Sequence, residues 1–429
     1  MNHLPKSERD EIQSSLRARL SGLIAAQPHS NAPPIVEASF DAIVSHVEVT
    51  EKHGVGTLLK RLFGTAPRII SIRSQDQFGG EQQFGEHHLR LHHGTAPRPA
   101  VYASVAALGG RIGRILACPY FADDVWTAIA LADVHGADLC TWLMDDQNVV
   151  ESGIPDVLMR ELLERSRVRF AISGPMRDAY EAKYGLELGV LPPTVPPHLV
   201  QVEPLALPRT ALTAGRAAIV GNIWGQHWLS LLRGALAGSG LRLDWFCNSG
   251  ARWLRASEAE LALDGLIVRG SLANEMELKR EMQGRPFAIV PSGTLEELDD
   301  RRAIASLSLP SRIIFLTAAA NTPLLVLGSR QTAASKFVET FSLGATAGYE
   351  RNEILRAMNF LLNPETQRQM RARAAELAPS FSSGGVRDWL WDSLEAGRPL
   401  DRRFEDLFPR LAEKPRAAQY NSHGPEAQC

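Results

Sequence analysis

The sequence predicts an α/β fold: two facing, Rossmann-like doubly wound domains followed by a C-terminal helical extension. Three observations lead there. The chain has 429 residues, more than one hydrophobic core usually organises, so two domains of similar size are expected. Short apolar runs alternate with helical patterns in both halves, the pattern of parallel strands covered by helices. A proline cluster, PPTVPPH at 192–198, interrupts this alternation, which then restarts. The expected division is an N-terminal amphipathic helix and linker at 1–35, a first domain at 36–205 and a second at 206–385. Helices packing back across the domains at 386–413 and a disordered tail at 414–429 complete it.

With 46 basic and 48 acidic residues the net charge is -2, which gives no electrostatic reason to expect a nucleic-acid partner. Cys118, Cys140, Cys247 and Cys429 are far apart, and the first three sit in or at the end of strand-like runs. Reduced, buried thiols in a reducing compartment are expected. The first residues are polar and charged, unlike a secretory signal, and no run reaches the ~20 apolar residues needed to span a bilayer. A cytoplasmic protein is expected, soluble or at most peripheral to a membrane.

Taken in order, Ser7 and Asp10 resemble a capping box, and Ile12, Leu16, Leu20 and Leu23 then recur at helical spacing until PHSNAPP ends the helix. A strand at Asp41–Val49 runs into His53, Gly54, Val55, Gly56 and Thr57 ahead of a helical LLKRLF. Strand, glycine turn and helix in that order bring backbone amides to the carboxyl edge of a parallel sheet, where a ligand binds, although a tight turn without a ligand reads the same way. Apolar runs come next at Arg68–Ile72, Val101–Leu108 and Ile112–Cys118, then a helix at Val125–Ala132 and a strand at Asp138–Met144. His87, His88, His92 and His93 have a spacing that could ligate a metal, but Glu86 is the only acid in their polar stretch and there is no thiol, so a solvated loop is the better reading. TWLMDDQN delivers Asp145 and Asp146 to the sheet's carboxyl edge, as catalytic acids or as caps of the next helix. A strand at Arg169–Ser173, a helix at Met176–Tyr184 and a short strand at Leu188–Val190 close this half.

In the second half, strands are expected at Ala217–Val220, Leu241–Cys247, Leu266–Val268, Phe287–Val290 and Leu324–Leu327. The first ends in Gly221, Asn222, Ile223, Trp224 and Gly225, a turn expected to face the first glycine turn across a cleft. Cys247–Gly250, containing Ser249, and Val268–Leu272, containing Ser271, are strand ends suited to a base or ribose. The stretch SLSLPSRIIFLTAAANTPLLVLGS at 306–329 organises this half. Pro310 ends an extended approach, Ser311 is expected to cap a helix through its hydroxyl, Asn321 permits the left-handed closing residue and Pro323 prevents continuation. With Arg312 in the first turn, free amides and a cation meet at one spot, an anion site suited to phosphate. A short strand at Leu343–Thr346, a helix at Ile354–Leu362, the charged helix NPETQRQMRARAAEL and the aromatic VRDWLWDSL end the ordered chain.

These residues resemble a known group, the GT-B glycosyltransferases, and within it the family 4-like sugar transferases. The resemblance rests on KHGVGTLLKRLFG, TWLMDDQN, FAISGPMRDAYEAKYGLELGVLPPTV, IVGNIWGQHWLSLL and LPSRIIFLTAAANTPLLVLGS in that order, and covers about residues 40–380. It implies a nucleoside diphosphate sugar held mainly by the second domain and a glycan or lipid-linked acceptor held by the first. The nucleotide sugar is a substrate, and neither cofactor nor metal is expected. It also implies that Gly221, Asn222, Ser311 and Arg312 meet the diphosphate, that Ser271 and Leu272 flank the base, and that Gly54, Gly56 and Thr57 close from the other side. The family's basic residues in the second domain's first turn are not matched clearly here; His227 reads equally as a contact to phosphate or sugar and as a helix-capping or packing residue. Two departures stand out. Ser308 and Leu316 occupy positions where the family carries paired glutamates, and Met144-Asp145 stands where it often has His-Asp. A GT-B protein without full catalytic competence, acting as a binding or assembly partner in a glycan pathway, is the alternative.

Overall fold

The computed structural model describes residues 39–410 except 81, 109–110, 215 and 248–254. The expected N-terminal helix, the tail, Cys429 and Ser249 therefore lie outside the described residues. The first sheet holds β1 (Phe40–Ser45), β2 (Ile69–Arg73), β3 (His87–Arg90), β4 (Ile112–Ala117), β5 (Asp138–Leu143), β6 (Val168–Ala171) and β7 (Gly189–Val190), in the order β3-β2-β1-β4-β5-β6-β7. The second holds β8 (Ala218–Val220), β9 (Leu243–Phe246), β10 (Leu266–Gly270), β11 (Ala288–Pro291), β12 (Leu324–Leu327) and β13 (Gly344–Ala347), in the order β10-β9-β8-β11-β12-β13. All pairings are parallel. In each sheet the strand order reverses between the first strand and the fourth, so the carboxyl ends of β1 and β4, and of β8 and β11, open the crevice where α/β sheets bind ligands.

Burial explains why the apolar runs become strands. β2 and β12 are buried at every position, as strands covered by helices on both faces must be. Cys118, Cys140 and Cys247 are buried and are not joined in disulfides. Among the described residues no helix is long and apolar enough to cross a membrane.

The structure departs from the sequence reading in several places. β1 stops at Ser45 rather than Val49, because Glu48 turns inward to accept the amides of Gln77, Phe78 and Gly80 at 2.9, 3.0 and 2.5 Å. The apolar run at 101–108 belongs to a helix, Arg98–Ala106, which buries Val101, Tyr102 and Val105. His87 and His88 are not in a loop: they belong to β3, whose backbone pairs with β2 while the imidazoles stay exposed. The helix after Pro310 is only Ser311–Ile314, succeeded by a π-helical turn at Phe315–Ala319. Its N-cap is Pro310, without a side-chain bond, so Ser311 is the first helical residue and not the cap. Asn321 does adopt the left-handed conformation, with φ 53°, and its amide is tied to Leu205 N and Arg371 O.

The chain crosses between the sheets twice, side by side. Val195 bridges Ser382, with Val195 N donating to Phe381 O and Ser383 N to Val195 O. The second crossing delivers the helix Val386–Ala396 to the first sheet, where Trp389, Leu390, Trp391 and Leu394 join its hydrophobic core. Glu405 then accepts Val190 N at the end of β7 and pairs with the buried Arg177.

Candidate active site

A cleft of about 2110 Å³ lies between the carboxyl edges of the two sheets. Its floor is formed by both switch points, with His46 after β1, Tyr120 after β4, Gly221 after β8 and Ser292 after β11.

The helix Gly54–Phe63 turns the residues Gly54, Thr57, Leu58 and Arg61 toward this cleft, a spacing of one helical face. His53 is its N-cap and accepts Gly56 N. A Cβ on Gly54 would stand 3.5 Å from Ser311 Oγ, so the first domain's glycine turn lies directly against the start of the second domain's short helix. Gly221, at φ 80°, lies against the other residue there, with Arg312 Nη1 3.5 Å from where its Cβ would be. The two turns thus converge on Ser311 and Arg312. Gly56 serves packing instead. A Cβ there would collide with Thr50 O at 2.1 Å, so glycine is required for close backbone approach beneath the cleft, not for contact within it.

Arg312 is half-buried at the cleft wall. Its Nη1 donates to Val220 O at 3.1 Å and Asn222 O at 2.6 Å, which fixes the guanidinium against the Gly221 turn. No carboxylate pairs with it among the described residues, and burial pulls its pKa down to about 10. A cation fixed by carbonyls without a counter-ion fits an anionic ligand. Asn222, Ser271 and Leu272 also line the cleft. His227 does not: Gln226 N is anchored on Asp300 and Trp228 Nε1 on Asp299, an orientation that places Trp228 at the cleft instead.

The adjacent acids separate. Asp146 accepts the amides of Asn148, Val149, Val150 and Glu151 at 2.7 to 3.1 Å and the Tyr180 hydroxyl at 3.0 Å. Asp146 lines the cleft, but its oxygens are engaged in folding the loop after β5, an arrangement that matches the capping alternative. Asp145 accepts the Tyr120 hydroxyl at 2.5 Å. Burial pushes its carboxyl above the usual range, more than the Tyr120 and Ser308 side chains pull it down. Desolvation thus stabilises the protonated form of Asp145 relative to a free carboxyl.

Several cleft residues were not expected from the sequence to line the site. Tyr120 and Ser308 bracket Asp145 from the two domains; Arg61 bonds Thr194 O at 2.6 Å and forms an ion pair with Glu275 across the cleft. The strand order would have found Tyr120, since β4 beside β1 puts the residue after CP at the switch point. The Arg61–Glu275 pair joins residues over two hundred positions apart, and no local pattern reveals it.

The order of strands, the facing switch points and the C-terminal return helix define the GT-B architecture. The chain superposes on the apo form of the lipopolysaccharide outer core galactosyltransferase WaaB with a TM-score of 0.52 at 11% identity, covering 84% of this chain and 99% of that one. Two further similarities are to the S. aureus MnaA-UDP co-structure (TM-score 0.48, 10% identity, 83% and 96% covered) and to a UDP-glucosyltransferase from Polygonum tinctorium (0.47, 12%, 86% and 99%). No family model matches the sequence, and no curated protein does.

Proposed function

We propose that the protein is a glycosyltransferase that moves a sugar from a nucleoside diphosphate sugar to a polysaccharide or lipid-linked glycan acceptor at the cytoplasmic side of a membrane. The observation that carries this is Arg312, a cation held by Val220 and Asn222 carbonyls with no carboxylate partner among the described residues, at the point where both glycine turns converge. Charge builds on the diphosphate as it leaves, and a fixed guanidinium with nearby amides stabilises that charge without a metal. The name of the WaaB structure, a galactosyltransferase, supports the same reaction class.

Titration calorimetry with UDP and GDP tests the reading. Arg312→Ala should weaken nucleoside diphosphate binding by ~1 to 3 kcal/mol, the worth of a charge-assisted contact. Equal affinity of variant and parent would remove the assignment.

Two observations favour the second reading, a GT-B protein that binds donor without turning it over. Leu316, where the family carries a glutamate, is fully buried, and Asp146 accepts four backbone amides. Tight nucleotide binding with no transfer to any acceptor would establish that reading.

A further inference from the structure

Beyond the return helix Val386–Ala396, the chain makes one more link between the halves. Residues 404–410 run along the first domain and are fastened there. Phe404 packs edge to face on Trp389 with centroids 5.4 Å apart, and Glu405 accepts the buried Val190 amide at 2.8 Å and pairs with Arg177 at 2.6 Å. Arg177, whose side chain is fully enclosed, also donates to Phe408 O at 2.7 Å. Arg410 pairs with Glu181 and donates to Leu188 O at 3.2 Å. These partners all belong to the first domain.

The contact with the second domain is apolar. Leu407 and Phe408 pack against that domain's core as well as the first domain's. The Phe408 ring stacks on Phe337 at 6.0 Å and meets Phe341 edge to face at 6.4 Å, on and just after the helix Ala333–Thr340. Phe337 in turn meets Phe381 at 5.8 Å, next to the crossing at Ser382. On the other side of Phe408 lies Gly174, where a Cβ would stand 3.5 Å from the Phe408 Cβ, and the neighbouring Ser173 Oγ donates to Leu307 O of the second domain. Phe408 therefore sits in the seam between the halves, one ring away from the crossing.

The two attachments differ in kind, and the difference decides which one lets go. Lifting 404–410 off the first domain would strip a carboxylate from an enclosed guanidinium and an acceptor from a buried amide. Parting Phe408 from Phe337 breaks a non-directional apolar contact, which can re-form and leaves no polar group orphaned. We propose that residues 404–410 are a latch: a strap that rides on the first domain, holds the cleft closed by lodging Phe408 against the helix Ala333–Thr340, and releases that ring when the halves rotate about Val195 and Ser382. Phe408 thereby sets the balance between closed and open cleft from outside it. The proposal concerns the hinge and does not depend on the glycosyltransferase reading.

Thiol labelling of the full chain, without nucleotide, tests this. Ser308 is 4% exposed and lies across the seam from Asp145, so the thiol introduced by Ser308→Cys is reached by excess maleimide when the halves part, and mass spectrometry reads the rate at that position. Adding Phe408→Ala should speed the labelling about fivefold, the size of one lost ring contact. Phe408→Leu, which keeps an apolar tip, should recover most of the slow rate. Hydrogen exchange in β7, whose Val190 amide Glu405 holds, and in β12, the fully buried strand of the second sheet, should be the same in all these proteins, because the strap stays in place and neither half unfolds. Unchanged labelling in Phe408→Ala, labelling as fast in Phe408→Leu as in Phe408→Ala, or faster exchange in either strand would each overturn the proposal.

Discussion

At the end of β5 the side chains of Asp145 and Asp146 enter different surroundings, and those surroundings decide what each carboxyl can do. Asp146 folds its own loop. Asp146→Ala would leave four amides and the Tyr180 hydroxyl without their acceptor, and should cost about 3 kcal/mol or more of stability in urea denaturation while nucleotide affinity stays close to the parent's. Loss of nucleotide binding without loss of stability would return Asp146 to the active site. The sequence showed two acids at a sheet edge and left caps and catalysis open, because the choice depends on where the next amides fold. Asp124 supplies a pH test. Burial raises its carboxyl from 3.8 to about 6, with Asp123 adding to the rise while Ser74 and the Tyr120 and Phe121 amides oppose it, and one of its oxygens has no partner among the described residues. Because the folded value lies above the unfolded one, the folded state is penalised as pH rises from 3.8 to about 6; the penalty is absent below that window and constant above it. Asp124→Asn can still accept those amides and carries no charge. Relative to the parent it should gain about 2 kcal/mol between pH 4 and pH 7, on 1.36 kcal/mol per unit. Parallel stability profiles for the two proteins would contradict this.

At the scale of elements, legibility in the sequence depends on how local the determining forces are. β12 lies where Leu324–Leu327 was read, since a buried strand between a proline and a glycine is specified by neighbours in sequence. The π-helical turn at Phe315–Ala319 left no trace, because it arises from packing of a continuously buried segment and not from a breaker residue. The helix at Arg98–Ala106 looked like another apolar run for a related reason: short apolar segments do not distinguish strand from buried helix by period. The helix Val386–Ala396 is the element whose placement was least local. Trp391 is buried against Phe63 at 5.5 Å between centroids and lies under the Arg114 guanidinium at 4.7 Å, in the core of a sheet formed some two hundred residues earlier. Trp391→Ala should therefore cost ~3 to 5 kcal/mol, as for other buried aromatics. Near-UV circular dichroism through a thermal melt would register it, and an unshifted transition would mean that the first domain's core does not depend on this helix.

Across the whole molecule, the architecture was legible in the sequence, and the way the two halves touch was not. Strand alternation and the proline hinge are features of each half alone, whereas contacts across the cleft appear only once both halves are folded. Among the contacts that join the halves are Gly54 against Ser311, Ser173 Oγ donating to Leu307 O, and Arg61 paired with Glu275. The last is the one most exposed to change. The Arg61 side chain is only 6% accessible, its Nε has no partner among the described residues, and its other bond is to Thr194 O at the hinge, so Glu275 neutralises a cation that is otherwise enclosed. The adjacent crossings at Val195 and Ser382 are the segments about which the halves can rotate. Glu275→Gln should leave that cation uncompensated inside the closed cleft, and opening toward water is the way to relieve it. Small-angle X-ray scattering should then show a larger radius of gyration for Glu275→Gln than for the parent. If the cleft binds a nucleoside diphosphate as proposed, saturating UDP should bring the two profiles together again, because the diphosphate supplies negative charge to the same cleft. Superimposable profiles without nucleotide would show that the remaining contacts suffice to keep the cleft closed, and that the Arg61–Glu275 pair is a consequence of closure and does not hold it.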